Sequence, residues 1–194
     1  MNVYDFDETI FTGDSEDYFF AYLFKKPGFF WDQVRYRWYE LLFKCKLVSK
    51  TKAREAEYSL LRKIDDLDGL LADYWDQHER HMKSWYAAVK RPDDVIASAT
   101  PRFLMEPIVA RLGLTGLVAT EMDPRTGKIH GEFAAGPYKV DQFRKQFSLD
   151  EIDEFYSDAY SDHFLAEYAK RAYVVRGDGE RTEWNAYFAT HKKK

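Results

Sequence analysis

The sequence predicts an α/β protein, a parallel sheet covered by helices on both faces, with an all-helical segment inserted after the first strand. Three observations carry the prediction. From residue 94 onward short apolar runs alternate with helical periodicity, as in "DVIASATP" followed by "RFLMEPIVARLG", and strands alternating with helices are joined by crossovers into a parallel sheet. Residues 15–90 show only apolar positions three and four apart, the period of a helix. Several of the apolar runs end in acidic or hydroxylic residues, as expected where a sheet gathers ligand-binding groups at the carboxyl ends of its strands. Residues 1–14 and 91–194 are therefore expected to form the α/β core, and residues 15–90 a helical cap.

In chain order, "NVYDF" reads as a short buried strand. A helix starts near Ser15 and is broken at "KKPG", after which "FFWDQVRYRWYELLF" begins a second, since proline and glycine interrupt helical pairing. A turn near "LVSKTKA" leads to a third helix, "REAEYSLLRKI", and "DDLDGLLADYWDQHERHMKSWYAAVK" holds one or two more. "DVIASATP" is a buried strand feeding a loop. "RFLMEPIVARLG" is a helix closed by Gly113, because glycine takes the left-handed conformation that ends helices. "GLVATEMDPRTGKIHGEF" is expected as a hairpin turned at "PRTG". A helix in "GPYKVDQFRKQF", a strand in "IDEFYSD", a helix in "HFLAEYAKR", a strand in "AYVV" and a last helix in "RTEWNAYFATH" follow, with a solvated "KKK" tail.

The 194 residues are 45% hydrophobic and 32% charged, enough apolar side chains for a sizeable core in one domain with an insertion. A net charge of −4 argues against nucleic acid as a partner. The longest aromatic and aliphatic run, "YFFAYLF" at residues 18–24, is far short of the roughly 20 residues a spanning helix needs, so no transmembrane segment is expected. Nothing ahead of "NVYDFDET" reads as a signal peptide. The single cysteine, Cys45, can close no intrachain disulfide, which suits a reducing compartment. The expectation is a soluble cytoplasmic protein.

The first strand ends with Asp5 and Asp7. Burying one unpaired carboxylate is costly and crowding two raises the cost, so a cation or a set of backbone donors must compensate. The other strand ends supply Ser98, Ala99 and Thr100, and Asp158 with Asp162 four residues on, while Lys139 opens the helix after "GEFAAGPY". Three or four carboxylates at one rim require a hard divalent cation, and oxygen ligands select magnesium. A lysine and a hydroxyl beside it make a receptacle for phosphate. One carboxylate can then attack phosphorus in line, and another two residues along can protonate the leaving oxygen and later activate water.

These residues resemble the signature of the haloacid dehalogenase superfamily. "DFDET" is similar to motif I, Ser98 in "VIASAT" to motif II, Lys139 to motif III and "YSDAYSD" to the acidic motif IV. A helical insertion between motifs I and II, with the "SAT" form of motif II, resembles the phosphoserine-phosphatase-like branch. The resemblance implies a Rossmann-like core with a C1 cap and a magnesium-dependent phosphatase that hydrolyses a phosphomonoester through an aspartyl-phosphate. It implies that Asp5 is the nucleophile and a magnesium ligand, and that Asp7 is the acid/base and lends its backbone carbonyl to the metal. Ser98, with Ala99 beside it, would bind the transferring phosphoryl group, and Lys139 would neutralise charge on Asp5 and the phosphate. Asp158 would bind magnesium, Asp162 would do so directly or through water, and Thr9 would support the motif I loop at the phosphate site. Many relatives carry glycine and asparagine where this chain has Ser157 and Ser161, so the acids of motif IV remain but the metal's surroundings differ. The alternatives are a non-catalytic phosphate- or partner-binding domain and a phosphomutase; Asp7 argues against carbon–halogen hydrolysis.

The implied substrate is a phosphoserine-like metabolite or a lipid head-group phosphate. Residues 18–43 hold twelve aromatics, most expected in the cap core, with any surplus lining an apolar pocket or resting on membrane lipid. Residues 25–63 carry eleven Lys/Arg against four acids, and residues 64–82 six acids against one arginine, read first as helices pairing across their faces. Asp14 reads as a helix cap with Ser15, or as a substrate contact. His78 and His81 have no third ligand in view and read as a solvated face rather than zinc. Cys45 is expected to pack on an apolar face. Hinges near Gly13 and Pro92 would let the cap move.

Overall fold

The computed structural model describes residues 1–191; the tail Lys192 to Lys194, expected to be solvated, lies outside the described residues. Six strands form one sheet: β1 (Asn2–Tyr4), β2 (Val95–Pro101), β3 (Gly116–Thr120), β4 (Glu154–Ser157), β5 (Arg171–Arg176) and β6 (Glu180–Glu183). Their order is β3-β2-β1-β4-β5-β6, parallel except for the antiparallel edge pair β5–β6. Central β1 pairs Val3 with both Val95 and Phe155. The Asp5 N–H donates to the Tyr156 carbonyl at 2.8 Å, so pairing ends where the acidic pair begins.

Five helices lie between β1 and β2: α1 (Ser15–Phe24), α2 (Phe30–Lys44), α3 (Lys50–Tyr58), α4 (Leu67–His78) and α5 (Ser84–Val89). The remaining helices are α6 (Arg102–Arg111), α7 (Pro137–Arg144), α8 (His163–Ala166) and α9 (Trp184–Thr190). Side-chain caps start three of the inserted helices: Asp14 accepts the Asp17 N–H, Ser49 that of Lys52 and Asp66 that of Gly69, each satisfying a donor that a helix start leaves free.

Alternation along β1 sends its side chains to opposite faces. Val3 packs with Val95, Val118 and Phe155 against α7, α8 and α9. Tyr4 lies on the other face, stacked on Tyr156 at 4.7 Å and edge-on to Tyr86 of α5 at 4.9 Å. That second core continues through Leu104 and Ile108 into Phe19, Tyr58, Tyr74 and Trp75 of the inserted helices. The Trp75 indole N–H donates to the Leu104 carbonyl at 2.8 Å, tying α4 to α6.

The two chain crossings into and out of the insertion pair with each other. Thr12 N–H donates to the His81 carbonyl at 2.9 Å and Lys83 N–H to the Ile10 carbonyl at 2.8 Å, with a bridge between Phe11 and Met82. Helix α5 therefore follows the return crossing and lies on the sheet, although the sequence groups it with the insertion. Gly13 takes φ +88°, and a side chain there would meet the Tyr18 ring, so glycine is required at the outward crossing.

Several elements differ from the sequence reading. "GLVAT" is a parallel strand at one edge of the sheet, paired with β2, and the expected hairpin shrinks to a single bridge between Met122 and Ile129. "ERTE" pairs with β5 as a polar edge strand, so the last helix starts only at Trp184. The third helix starts at Lys50 and tightens into a 3-10 turn, Ser59–Lys63. The helix expected in "HFLAEYAKR" is one turn long. Cys45 is exposed rather than packed. His78 and His81 are half-buried in a ring stack with Tyr18 and Tyr74, not on a solvated face.

Candidate active site

The carboxyl ends of β1, β2 and β4 meet at one rim. After β1 the chain turns tightly, with the N–H groups of Thr9, Ile10 and Phe11 all directed at the Phe6 carbonyl. Glu8 takes a left-handed φ of 57°, unfavourable for a side chain other than glycine. Its carbonyl is held by the ammonium of buried Lys83. This turn aims Asp5 and Asp7 over the sheet.

Asp7 is gripped at both oxygens. Its Oδ1 accepts the Ser15 N–H at 2.7 Å, from the first turn of α1, and its Oδ2 accepts the Thr100 hydroxyl at 2.9 Å, from β2. Burial pushes its pKa well above the usual carboxylate range, and the charge of Asp14 adds to that, against the Ser15 hydrogen bonds.

Asp5 faces Lys139 at 3.1 Å, and the same ammonium lies 2.7 Å from Asp162. Lys139 is on the first turn of α7, placed by Gly136 and Pro137, and is only 2% exposed. Burial works against its charge, but Asp162 and Asp5 outweigh it and keep the lysine protonated well above its ordinary value. Burial pushes Asp5 up to about 7, opposed by Lys139 and reinforced by Asp162 and Asp158. The lysine thus does not overcome the burial of Asp5, to which the two neighbouring acids add.

Thr9 has no exposed surface. Its hydroxyl accepts the Asp158 N–H at 2.9 Å and reaches Asp5 Oδ2 at 3.5 Å, so it braces the turn from within rather than facing open space. The Ser98 hydroxyl, also buried, accepts the Thr100 N–H at 3.1 Å; Ala99 follows on β2, its carbonyl accepting the Thr120 hydroxyl. Ser157 is buried and donates to Asp162 at 2.8 Å while accepting the Ala159 N–H at 3.1 Å, whereas Ser161 is exposed. Asp158 has the Arg176 guanidinium at 3.6 Å. Burial raises its pKa, Arg176 opposes and Asp162 adds.

The oxygen donors that could hold a divalent cation are the carboxylates of Asp5, Asp158 and Asp162 and the Asp7 carbonyl, a set whose hardness suits magnesium. Among the described residues no three acidic, imidazole or thiol side chains form a ready-made metal cluster: Asp162 is engaged by Lys139 and Ser157, and Asp158 has Arg176 nearby. Three clustered carboxylates, with Asp5 raised by burial and then by Asp162 and Asp158, nevertheless fit a cation.

Above the rim stands a buried polar group from the inserted helices. Glu16 accepts the Tyr58 hydroxyl at 2.7 Å and lies 3.5 Å from Arg54, which also bonds Glu57 at 3.1 Å. Lys50 is lowered first by burial and then by Arg54, with Lys139 adding a smaller repulsion. Asp14 is exposed and serves as the α1 cap. The sequence places Thr100 at a strand end but gives it no role, and it does not single out Arg176 or this polar group. Thr100 had a signal, two positions beyond Ser98 on the same strand; Arg176 had none, since a lone arginine late in the chain points nowhere.

A parallel α/β sheet with helices inserted after its first strand, and acids from several strand ends gathered at one rim, defines a Rossmann-like hydrolase fold. The chain belongs to the haloacid dehalogenase-like hydrolase family, whose model matches residues 3–167. Among solved structures it is similar to a protein of unknown function from Bordetella pertussis Tohama I, at 21% identity and a TM-score of 0.73, covering 93% of this chain and 90% of that one. It is also similar to a phosphoserine phosphohydrolase-like protein from Francisella tularensis subsp. tularensis SCHU S4, at 15% identity, TM-score 0.55, and 89% and 86% coverage. A probable phosphoserine phosphatase from Vibrio cholerae aligns at 12% identity and TM-score 0.60 over 88% of this chain, which spans 55% of that one. At these identities the likeness is one of fold. No curated protein matches the chain.

Proposed function

We propose that the protein is a magnesium-dependent phosphatase that hydrolyses a phosphomonoester through an aspartyl-phosphate on Asp5. The observation that carries the reading is the buried Lys139 ammonium seated 3.1 Å from Asp5 and 2.7 Å from Asp162. A buried cation beside a carboxylate that keeps a little exposed surface is what an incoming phosphate dianion needs if a negatively charged nucleophile is to approach it.

In the first step an Asp5 carboxylate oxygen bonds to phosphorus as the bond from phosphorus to the leaving oxygen breaks. Asp7, whose burial favours the protonated form, gives its proton to that leaving oxygen. In the second step Asp7 takes a proton from water, whose oxygen bonds to phosphorus as the bond to Asp5 breaks, releasing phosphate. Ser98 and the Ala99 N–H hold the phosphoryl oxygens, and Lys139 balances charge on Asp5 throughout. Asp5, Asp158, Asp162 and the Asp7 carbonyl would hold magnesium, which would supply positive charge for the phosphoryl group. Thr9 and Ser157 keep the ligands in place.

Residues 15–81 act as the cap that selects the substrate. Glu16, Lys50 and Arg54 make the cap's inner side polar and partly cationic, which favours a small polar phosphorylated metabolite over an apolar leaving group; the phosphorylated polar head of a lipid has the same chemistry. The reading places the protein in the cytoplasm, where such substrates and magnesium are present.

The test is p-nitrophenyl phosphate hydrolysis by the wild type and Asp5→Asn, each with magnesium or with EDTA. Turnover that needs magnesium and disappears in Asp5→Asn is the expected result. Turnover that survives Asp5→Asn would remove the covalent route, and a folded wild type that neither turns over phosphomonoesters nor binds magnesium would overturn the reading.

A further inference from the structure

Seven of the eleven large apolar side chains that the described residues leave exposed fall within residues 30–47. On α2 they form a stripe: Trp31, Val34, Trp38 and Leu41 recur three and four apart, which places them on one helical face. Trp31 is 75% exposed and Trp38 57%. The opposite face carries Asp32 and Tyr36, both buried. Phe30 precedes the stripe. At the other end Lys46 closes the helix in a left-handed conformation, φ 59°, and leaves Leu47 71% exposed. The helix is thus packed inward through one face while a second apolar face points to solvent, with nothing among the described residues covering it.

The charges beside this face are mostly positive. Residues 25–50 hold seven Lys/Arg against two acids, an excess of +5 in a chain of net charge −4. One of those acids, Asp32, is buried between Arg35 and Lys63. The other, Glu40, faces both Arg37 at 3.2 Å and Lys44 at 3.8 Å, so it offsets only one of the two. Exposed tryptophans and leucine bordered by arginine and lysine match an anionic bilayer surface, where apolar side chains enter the acyl boundary and cations meet the head groups. A second copy of the chain fits less well, because a self-complementary pairing would bring the same cationic border against itself. No helix among the described residues is long and apolar enough to cross a membrane.

We propose that the outer face of α2 is a peripheral docking surface for membranes bearing anionic lipids. This site is separate from the carboxylate rim and does not depend on the phosphatase reading. The test mixes the full-length protein with vesicles of phosphatidylcholine alone, or of phosphatidylcholine with phosphatidylglycerol, at low and high salt. The expected result is co-sedimentation with the anionic vesicles that weakens in high salt, accompanied by a blue shift of tryptophan emission. Trp75 and Trp184 are buried and Trp85 half-buried, so such a shift reports on Trp31 and Trp38. The double variant Trp31→Ser, Trp38→Ser, checked for an unchanged circular dichroism spectrum, is expected to lose about tenfold or more in binding. A wild type that stays in solution with both vesicle types, or a folded double variant that binds as well as the wild type, overturns the proposal. So does a dimer in sedimentation velocity that the double variant dissolves, since the face would then belong to a second copy.

Discussion

The Thr100 hydroxyl donates to Asp7 Oδ2 at 2.9 Å across 93 positions of sequence. Because β2 lies directly beside β1, a side chain from the end of one strand reaches the acid just beyond the end of the other. A hydrogen bond donated to a carboxylate favours its charged form. Thr100 therefore joins the Ser15 hydrogen bonds in working against the burial that raises Asp7. Replacing it with valine keeps the shape and removes the donor, so the pKa of Asp7 rises further. Asp7 must be protonated to help the leaving group and unprotonated to activate water. In either case the limb of the pH–rate profile that it governs moves to higher pH in Thr100→Val. We expect that shift, with kcat lowered about tenfold and KM little changed. An unshifted profile would mean that Asp7 does not govern the limb.

Ser157 stands where many relatives of similar motif carry glycine, and its hydroxyl is a buried donor to Asp162 at 2.8 Å. Asp162 in turn lies 2.7 Å from Lys139. Ser157→Ala removes a hydrogen bond to a charged group and is expected to cost about 1.5–3 kcal/mol in urea unfolding. Ser157→Gly should cost at least as much, because the glycine adds backbone freedom to the unfolded chain. A loss near zero in both would show that another donor replaces the serine.

How far such pairs could be read from sequence depended on what kind of signal they leave. Asp5, Asp7, Asp158 and Lys139 were legible as neighbours because apolar runs mark strand ends and a parallel sheet brings those ends to one rim. Thr100 was legible as a strand-end residue but not as the partner of Asp7, which depends on register, and Arg176 was not legible, since its position depends on the path of the chain after β5. The "ERTE" strand was missed because an exposed edge strand carries no apolar alternation, and the hairpin was over-read because turn residues at "PRTG" predict a turn without fixing what its arms pair with. On α2 the periodicity was legible, but a 3.6-residue period is the same whether an apolar face meets the core or solvent. Only the packing of Tyr36 inward decided that Trp31 and Trp38 point out.

Glu57 offers a titration away from the rim. It is 4% exposed and 3.1 Å from Arg54, yet burial outweighs the arginine and pushes its pKa from 4.5 up to about 7. A carboxyl whose folded pKa lies above its unfolded value holds its proton more tightly when folded. Its contribution to stability is present below about 4.5 and is lost as pH rises through about 7. Glu57→Gln keeps a hydrogen-bonding group and removes the titration. The thermal midpoint of the wild type should therefore fall more across that window than that of Glu57→Gln, and parallel curves would show that Glu57 does not titrate there.

The carboxylate rim makes the opposite demand on pH once a cation is supplied. Asp5 is pushed up to about 7 by burial, with Asp162 and Asp158 adding to the effect of that burial and Lys139 opposing it, so below that pH a proton competes with any metal for the same oxygen. Magnesium binding should therefore strengthen as pH rises toward about 7 and level off above it. A ligand that binds only the folded chain stabilises it by about 2.7 kcal/mol at a hundredfold excess over its Kd. The thermal midpoint measured with magnesium minus that with EDTA should accordingly be larger above pH 7 than below it. Asp158→Asn removes one charged ligand while leaving its N–H bonded to Thr9, so the protein should fold and the magnesium-dependent shift should largely vanish at both pH values. A shift that persists undiminished in Asp158→Asn would place the cation elsewhere, and a shift that does not change with pH would mean that Asp5 is not among its ligands.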